Sequence, residues 1–147
     1  MNRIKLNILL ADDDQDDCYF FDKALMELSV SSHLTIVNDG EQLMQLLLNE
    51  TVELPDVLFL DINMPRKTGT DCLAEIKQHE RLKDLPVVMF STSNAWDKIN
   101  MLFKTGANVY IHKPNDFTQL KQVIHHALPM STEKLFPKSQ VKYILNA

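Results

Sequence analysis

The chain has 147 residues, 45% of them apolar and 24% charged, which is enough for one domain with a substantial core. Its formal net charge of −5 argues against nucleic acid as a direct partner, because phosphate backbones are bound by clusters of Lys and Arg. No apolar run approaches the roughly 20 residues of a membrane-spanning helix, no signal peptide is visible, and Cys18 and Cys72 are too few for a disulfide framework. We therefore expect a cytoplasmic protein without a membrane partner.

Apolar runs of strand length alternate with amphipathic stretches of helix length along most of the chain. The predicted strands lie at 5–11, 34–37, 56–61, 86–93 and 108–114, and the predicted helices at 14–28, 41–50, 70–82, 94–106 and 115–128. Five successive β-then-α units predict an α/β fold, (βα)5, with a doubly wound five-stranded parallel sheet covered by helices on both faces. The near-continuous apolar character of the strands fits burial on both faces.

The last residues of the chain follow the fifth predicted unit. We divide the chain into a domain at 1–129 and a C-terminal tail at 130–147. The tail carries apolar residues that alternate partly at strand period after Pro137, which is unusual for a disordered segment. We expect the tail to pack on the domain or on a dimer partner.

Polar side chains lie at the carboxyl ends of four of the predicted strands. Ligands of open parallel sheets bind outside the carboxyl ends of the strands, so these side chains are expected to meet at one edge. They are Asp12 and Asp13 directly after the first strand, Asp61 at the end of the third, Ser91 and Thr92 at the end of the fourth, and Lys113 at the end of the fifth. This edge therefore combines carboxylates, hydroxyls and an ammonium group.

The segment ADDDQDD at 11–17 places five carboxylates within seven residues. Only Asp12 and Asp13 follow the strand directly. We interpret Asp14, Asp16 and Asp17 as a solvated first helical turn, where the helix macrodipole favours negative charge. The segment is therefore expected to be part site and part helix cap.

The predicted edge matches the requirements of phosphoryl transfer. Asp12, Asp13 and Asp61 would repel one another unless a hard cation such as Mg²⁺ lay among them. Lys113 and the Ser91 hydroxyl could contact an anionic oxygen, which is how transferring phosphoryl groups are held. Asp61, at the end of the central strand, is the best-placed nucleophile, and its product would be an aspartyl phosphate.

These motifs together resemble the receiver domain of two-component response regulators. The resemblance covers Ile4 to about Leu128 and rests on five signals in order: the Asp12–Asp13 pair, DVLFLDINMP around Asp61, the Ser91–Thr92 pair, Tyr110 in VYIHKP, and Lys113–Pro114. It implies the flavodoxin-like fold of chemotaxis-type regulators. Thr92, where the family more often has a small residue, and His112 before the lysine depart from the pattern.

The resemblance also implies a role for each matching residue. Asp61 would accept the phosphoryl group, with Mg²⁺ held by Asp12, Asp13, Asp61 and the backbone carbonyl of Asn63. Lys113 and Ser91 would contact the phosphoryl group. Tyr110 would act with Ser91 as a switch by rotating from an exposed to a buried position. The Lys113–Pro114 bond is at the family's cis-proline position.

The function implied is that of a stand-alone, single-domain response regulator in phosphorelay signal transduction. A sensor histidine kinase, for which a phytochrome-type kinase is one candidate, would phosphorylate Asp61. A downstream protein target or phosphotransfer protein would read the altered surface, and a homodimer is plausible. Such a protein is a switch rather than an enzyme.

Two other classes of protein remain as alternatives. One is a receiver-like interaction module that acts independently of phosphorylation, although loss of the acceptor, acidic pair or lysine would then be expected. The other is a hydrolase that works through an aspartyl phosphate. Such hydrolases need a second carboxylate two residues after the nucleophile, where this chain has Asn63.

Overall fold

The computed structural model describes residues 5–93, 95–132 and 143–145. It contains eleven helices and strands within these ranges, in an alternating order. They are β1 (Leu6–Ala11), α1 (Gln15–Glu27), β2 (Ser32–Val37), α2 (Gly40–Leu48), β3 (Val57–Leu60), α3 (Gly69–Gln78), β4 (Val87–Ser91), α4 (Trp96–Thr105), β5 (Val109–His112), α5 (Phe117–Thr132) and β6 (Tyr143–Leu145). All five predicted β-then-α units are confirmed.

The strands form one parallel sheet in the order β2-β1-β3-β4-β5-β6. The first five strands are the predicted doubly wound set. The sixth, β6, extends the sheet beyond β5, with Val109 opposite Tyr143 and Ile111 opposite Leu145. Most of the remaining tail lies outside the described residues, so the expectation that the whole tail packs on the domain or on a partner stays a prediction.

The residues of each strand alternate between the two faces of the sheet, as the period of two requires. One core cluster joins the strands to α1 and α5, and the other joins them to α2, α3 and α4. In β3, for example, Phe59 belongs to the first cluster and Leu60 to the second. The same alternation governs which way the residues that follow each strand project.

The observed bounds of the predicted elements differ by at most two residues at the strand ends and by up to four residues at the helix ends. The α3 helix ends at Gln78 instead of Leu82, and Arg81 beyond it donates hydrogen bonds to the carbonyls of Leu47 and Val52. The α5 helix continues past Leu128 to Thr132. Gly106 is the C-cap of α4, with a φ of 131° that glycine adopts far more easily than any other residue.

Candidate functional site

Three carboxylates meet at the carboxyl ends of β1 and β3. The two strands pair in parallel with Ala11 opposite Leu60, so the residues that follow, Asp12 and Asp61, are neighbours. The backbone N–H of Asp61 donates to the Ala11 carbonyl at 3.0 Å and continues the ladder into the site. One carboxylate oxygen from each of Asp12, Asp13 and Asp61 lies within 4.8 Å of the others. Asp12 and Asp61 are buried, whereas Asp13 is exposed.

The Lys113 ammonium lies among these carboxylates. Its Nζ is 2.9 Å from Asp12 Oδ2 and 3.5 Å from Asp61 Oδ2. Its closest carboxylate is that of Asp17 on α1, at 2.8 Å. The ammonium also lies 5.2 Å from the centre of the Phe90 ring, on the face of the sheet covered by α1 and α5. One lysine therefore connects the ends of β1, β3 and β5 with the first turn of α1.

Burial and the ion pairs of Lys113 shift the pKa values of the charged groups in the site. Burial raises the pKa of Asp61 to about 6; the Lys113 charge opposes that rise and the Asp12 carboxylate adds to it. Burial likewise raises the pKa of Asp12, against its hydrogen bond from Lys113. For Lys113 burial acts to lower the pKa, but the hydrogen bonds to Asp17 and Asp12 outweigh it and raise the pKa. These two hydrogen bonds therefore favour the charged form of Lys113.

Ser91 and Tyr110 form a second part of the edge, on the other face of the sheet. The Ser91 hydroxyl is buried at the end of β4 and accepts a hydrogen bond from the N–H of Ser93 at 3.3 Å. The Tyr110 side chain is buried in the cluster with α2, α3 and α4, and its hydroxyl donates to the Ser93 carbonyl. Both predicted switch residues therefore meet at the loop that leads into α4, with Tyr110 in a buried position.

The loop after Asp61 is held closely against the rest of the domain. Gly69, the first residue of α3, donates its N–H to the Ile62 carbonyl at 2.8 Å. A Cβ at Gly69 would lie 1.9 Å from the backbone oxygen of Asp61, so only glycine fits here. The loop carries Asn63, which is exposed to solvent. This packing fixes the backbone that follows the predicted phosphoryl acceptor.

Two sequence-based interpretations are wrong. Asp14 does cap α1, accepting from the N–H groups of Asp16 and Asp17, but Asp17 is more than a solvated cap residue because it pairs with Lys113. No peptide bond among the described residues is cis, so the bond before Pro114 is trans. Lys113 reaches the carboxylates with that trans bond in place.

Sequence reasoning missed Asp17 and Gly69. Asp17 precedes the buried residues Phe21 and Ala24 by four and seven positions, so helical spacing places it on the buried side of α1. That spacing could have identified it. The sequence gives no comparable signal for Gly69. Glycine is required there because the start of α3 packs against the backbone that follows β3, which leaves no room for a side chain.

The donor set of the acidic edge fits a hard divalent cation. Oxygen ligands, a surplus of negative charge and an exposed side at Asp13 are what Mg²⁺ or Mn²⁺ requires, since these ions keep several waters. A cation here would favour the charged forms of Asp12 and Asp61, whose pKa values are raised chiefly by burial. With Lys113 beside it, the edge could stabilise an anionic group attached to Asp61.

Comparison with known proteins matches most of the chain to one family. The family model for the response regulator receiver domain matches residues 8–125. Response regulator Rcp1 of Synechocystis sp. is 31% identical over 121 residues, which span 80% of this chain and 82% of that protein.

Two solved structures share the fold. The Mn²⁺-bound form of Rcp1 aligns with a TM-score of 0.80 at 29% identity, covering 89% of this chain and 97% of that one. The phosphorylated cyanobacterial phytochrome response regulator RcpA aligns with a TM-score of 0.82 at 31% identity, covering 90% and 98% of the two chains. Within the described residues, no helix is both long and apolar enough to cross a membrane.

Proposed function

This chain belongs to the response regulator receiver family of two-component signalling, and from that premise we propose that a sensor histidine kinase phosphorylates it on Asp61. The observation that carries the assignment is the position of Asp61 at the centre of the edge, beside Asp12, Asp13 and Lys113. Receivers act as phosphorylation switches, and we propose a single-domain switch of this kind rather than an enzyme with a turnover of its own.

The transfer step uses an oxygen of Asp61 as the nucleophile. As the new P–O bond forms, the bond from phosphorus to the donor's leaving group breaks, and the leaving group keeps the electron pair. Lys113 Nζ, 3.5 Å from Asp61 Oδ2, is close enough to neutralise charge on a phosphoryl oxygen after a small movement. Ser91, at the end of β4, would donate its hydroxyl to the same group.

The carboxylates of Asp12, Asp13 and Asp61, with the backbone carbonyl of Asn63, are the proposed Mg²⁺ ligands. When bound, the ion would supply positive charge to the transferring group. The distances among the three carboxylates support this assignment. The similar protein Rcp1 has been solved with Mn²⁺ bound, which also supports a divalent cation here.

The output is proposed to pass through Ser91 and Tyr110. Both residues hydrogen-bond to Ser93, so a Ser91 side chain that turned towards the phosphoryl group would release one contact of the loop before α4. Tyr110 and the start of α4 could then repack as a two-state element. A downstream target or a phosphotransfer protein would bind one of the two states.

The partners follow from the same resemblance. A phytochrome-type kinase is the proposed donor, supported by the similarity to RcpA, a cyanobacterial phytochrome response regulator. A cavity of about 400 Å³, lined by Lys113, Phe20 and Phe117 among others, offers the donor protein a surface beside this lysine. We also propose that the reaction takes place in the cytoplasm and that the protein can form a homodimer.

The test is intact-protein mass spectrometry after incubation with acetyl phosphate, with Mg²⁺ or with EDTA. We expect one phosphoryl adduct that requires Mg²⁺ and is absent from Asp61→Asn. Asp16→Asn, which removes an exposed carboxylate in the first turn of α1, is the matched control and should still form the adduct. An equal adduct on Asp61→Asn would refute the acceptor assignment. No adduct from acetyl phosphate, phosphoramidate or a phosphorylated kinase would instead favour a module that acts independently of phosphorylation.

A further inference from the structure

The Asp17 carboxylate makes the closest ion pair of Lys113. Its Oδ2 lies 2.8 Å from Nζ, compared with 2.9 Å for Asp12 and 3.5 Å for Asp61. Asp17 belongs to the first turn of α1 and stands outside the trio of carboxylates whose oxygens lie within 4.8 Å of one another. It therefore binds the lysine from outside the set of proposed metal ligands.

Asp17 is also more exposed to solvent than Asp12, the other carboxylate that hydrogen-bonds to Lys113. Its side chain is 39% exposed and lines the cavity beside Lys113, whereas Asp12 is fully buried. Two of the three N–H bonds of the ammonium point to Asp12 and Asp17. A cation bound by Asp12 and Asp13 would offset the charge of Asp12, but Asp17 lies beyond those ligands and would keep its attraction for Lys113.

A phosphoryl group on Asp61 must therefore compete with Asp17 for Lys113. Nζ has to approach an oxygen attached to Asp61, and we expect this movement to lengthen its 2.8 Å contact with Asp17. The Asp17 charge would also repel an anionic phosphoryl donor that approaches Lys113. Both effects act in the same direction and slow the transfer.

We propose that Asp17 is a positioning residue that restrains Lys113 in the unphosphorylated protein and so limits the rate at which Asp61 is phosphorylated. This inference rests on the proposed function, because it concerns the rate of that reaction. Asp17 lies outside the proposed metal ligands and acts chiefly through its ion pair with Lys113.

The experiment measures the rate constant for adduct formation from acetyl phosphate at saturating Mg²⁺, by mass spectrometry. Asp17→Asn is expected to raise this rate about two- to fivefold, the effect of releasing an ion pair with one half-exposed partner. Asp16→Asn removes the same charge from the same helical turn, where the Asp16 side chain is exposed to solvent. It is expected to leave the rate within about twofold of wild type, because water and salt screen its charge.

A double-mutant cycle separates restraint of Lys113 from repulsion of the donor. In a Lys113→Met background, Asp17→Asn should change the rate far less than in wild type, because the restrained group is gone. A similar acceleration in both backgrounds would overturn the proposal, as would equal rates for Asp17→Asn and wild type. The proposed function fails separately, through the absence of any adduct on the wild-type protein. Circular dichroism melting of each variant identifies a rate change that arises from misfolding.

Discussion

Lys113 and Lys77 are both withdrawn from solvent, yet their surroundings shift their pKa values in opposite directions. Lys113 follows β5 and pairs with Asp12 and Asp17, and its pKa is raised. Lys77 lies in the last turn of α3 and donates hydrogen bonds to the carbonyls of Lys83 and Leu85, at 3.2 and 2.8 Å. Burial lowers the pKa of Lys77 to about 8, against the opposing charge of Asp84.

The difference shows that neighbouring anions, rather than burial alone, determine whether the pKa of a lysine is raised or lowered. Burial acts to lower both pKa values, but carboxylates reverse the effect at Lys113 and neutral carbonyls do not reverse it at Lys77. Lys113 thus carries a fixed positive charge suited to an anionic group. Lys77 instead ties the segment between α3 and β4 to the helix, a structural role.

The largest effect is expected from Lys113→Met. Loss of this cation leaves Asp12 and Asp61 buried beside each other without their shared partner, so we expect the free energy of unfolding in EDTA to fall by about 3 kcal/mol. Urea denaturation measures it. Added Mg²⁺ should restore part of the loss, because a ligand that binds only the folded state stabilises it.

Lys121→Met is the control for the Lys113 experiment. Lys121 pairs with Glu27 at 3.2 Å on the surface between α5 and α1, so its removal should shift the urea midpoint little. Equal midpoints for Lys113→Met and wild type in EDTA would mean that Lys113 does not stabilise the acidic edge.

A smaller effect, of opposite sign, is expected from Lys77→Met. Below pH 8 the lysine is charged in both the folded and unfolded states, so its desolvation cost is fully present. Methionine avoids that cost, and we expect it to raise the free energy of unfolding at pH 7 by about 1 kcal/mol, after the loss of two hydrogen bonds to carbonyls.

The difference in stability between wild type and Lys77→Met should depend on pH. As the pH rises above 8, folded Lys77 loses its proton while the unfolded lysine keeps it until about 10.5. Unfolding then takes up a proton, so this group makes the wild type more stable as the pH rises, and the advantage of Lys77→Met should shrink between pH 8 and 10. Urea midpoints at several pH values would measure this, and a constant difference would contradict the lowered pKa.

The two lysines also show how far the sequence predicts the structure. Lys113 was identifiable because it directly follows a strand, and strand ends converge in parallel sheets. The same rule located Asp12, Asp13, Asp61 and Ser91, and the alternation of strands and helices predicted the fold. These features depend on local periodicity and chain order, which a sequence carries directly.

Features that depend on contacts between distant elements could not be predicted in this way. The α3 helix ends at Gln78, earlier than its apolar pattern indicated. The sequence therefore did not predict that Lys77 would donate hydrogen bonds to carbonyls beyond the helix. The pairing of β6 with β5 joins residues more than 30 positions apart, and three residues of strand period are too few to indicate a partner. Asp17 is an intermediate case. Helical spacing predicts the side of α1 on which it lies, but the sequence does not predict its ion pair with Lys113.

The smallest effect is expected at Lys83, an exposed lysine. It tests whether solvent exposure matters as the contrast between Lys113 and Lys77 implies. Lys83 Nζ lies 3.0 Å from Glu80 Oε1, a separation close to that between Lys113 and Asp12, but the pair is exposed. Water screens the attraction there, so Lys83→Met should leave the urea midpoint unchanged at low and at high salt. The Lys83 carbonyl that binds Lys77 belongs to the backbone and survives the substitution. A loss as large as that of Lys113→Met would show that ion-pair distance, rather than burial among carboxylates, sets the contribution of a lysine in this fold.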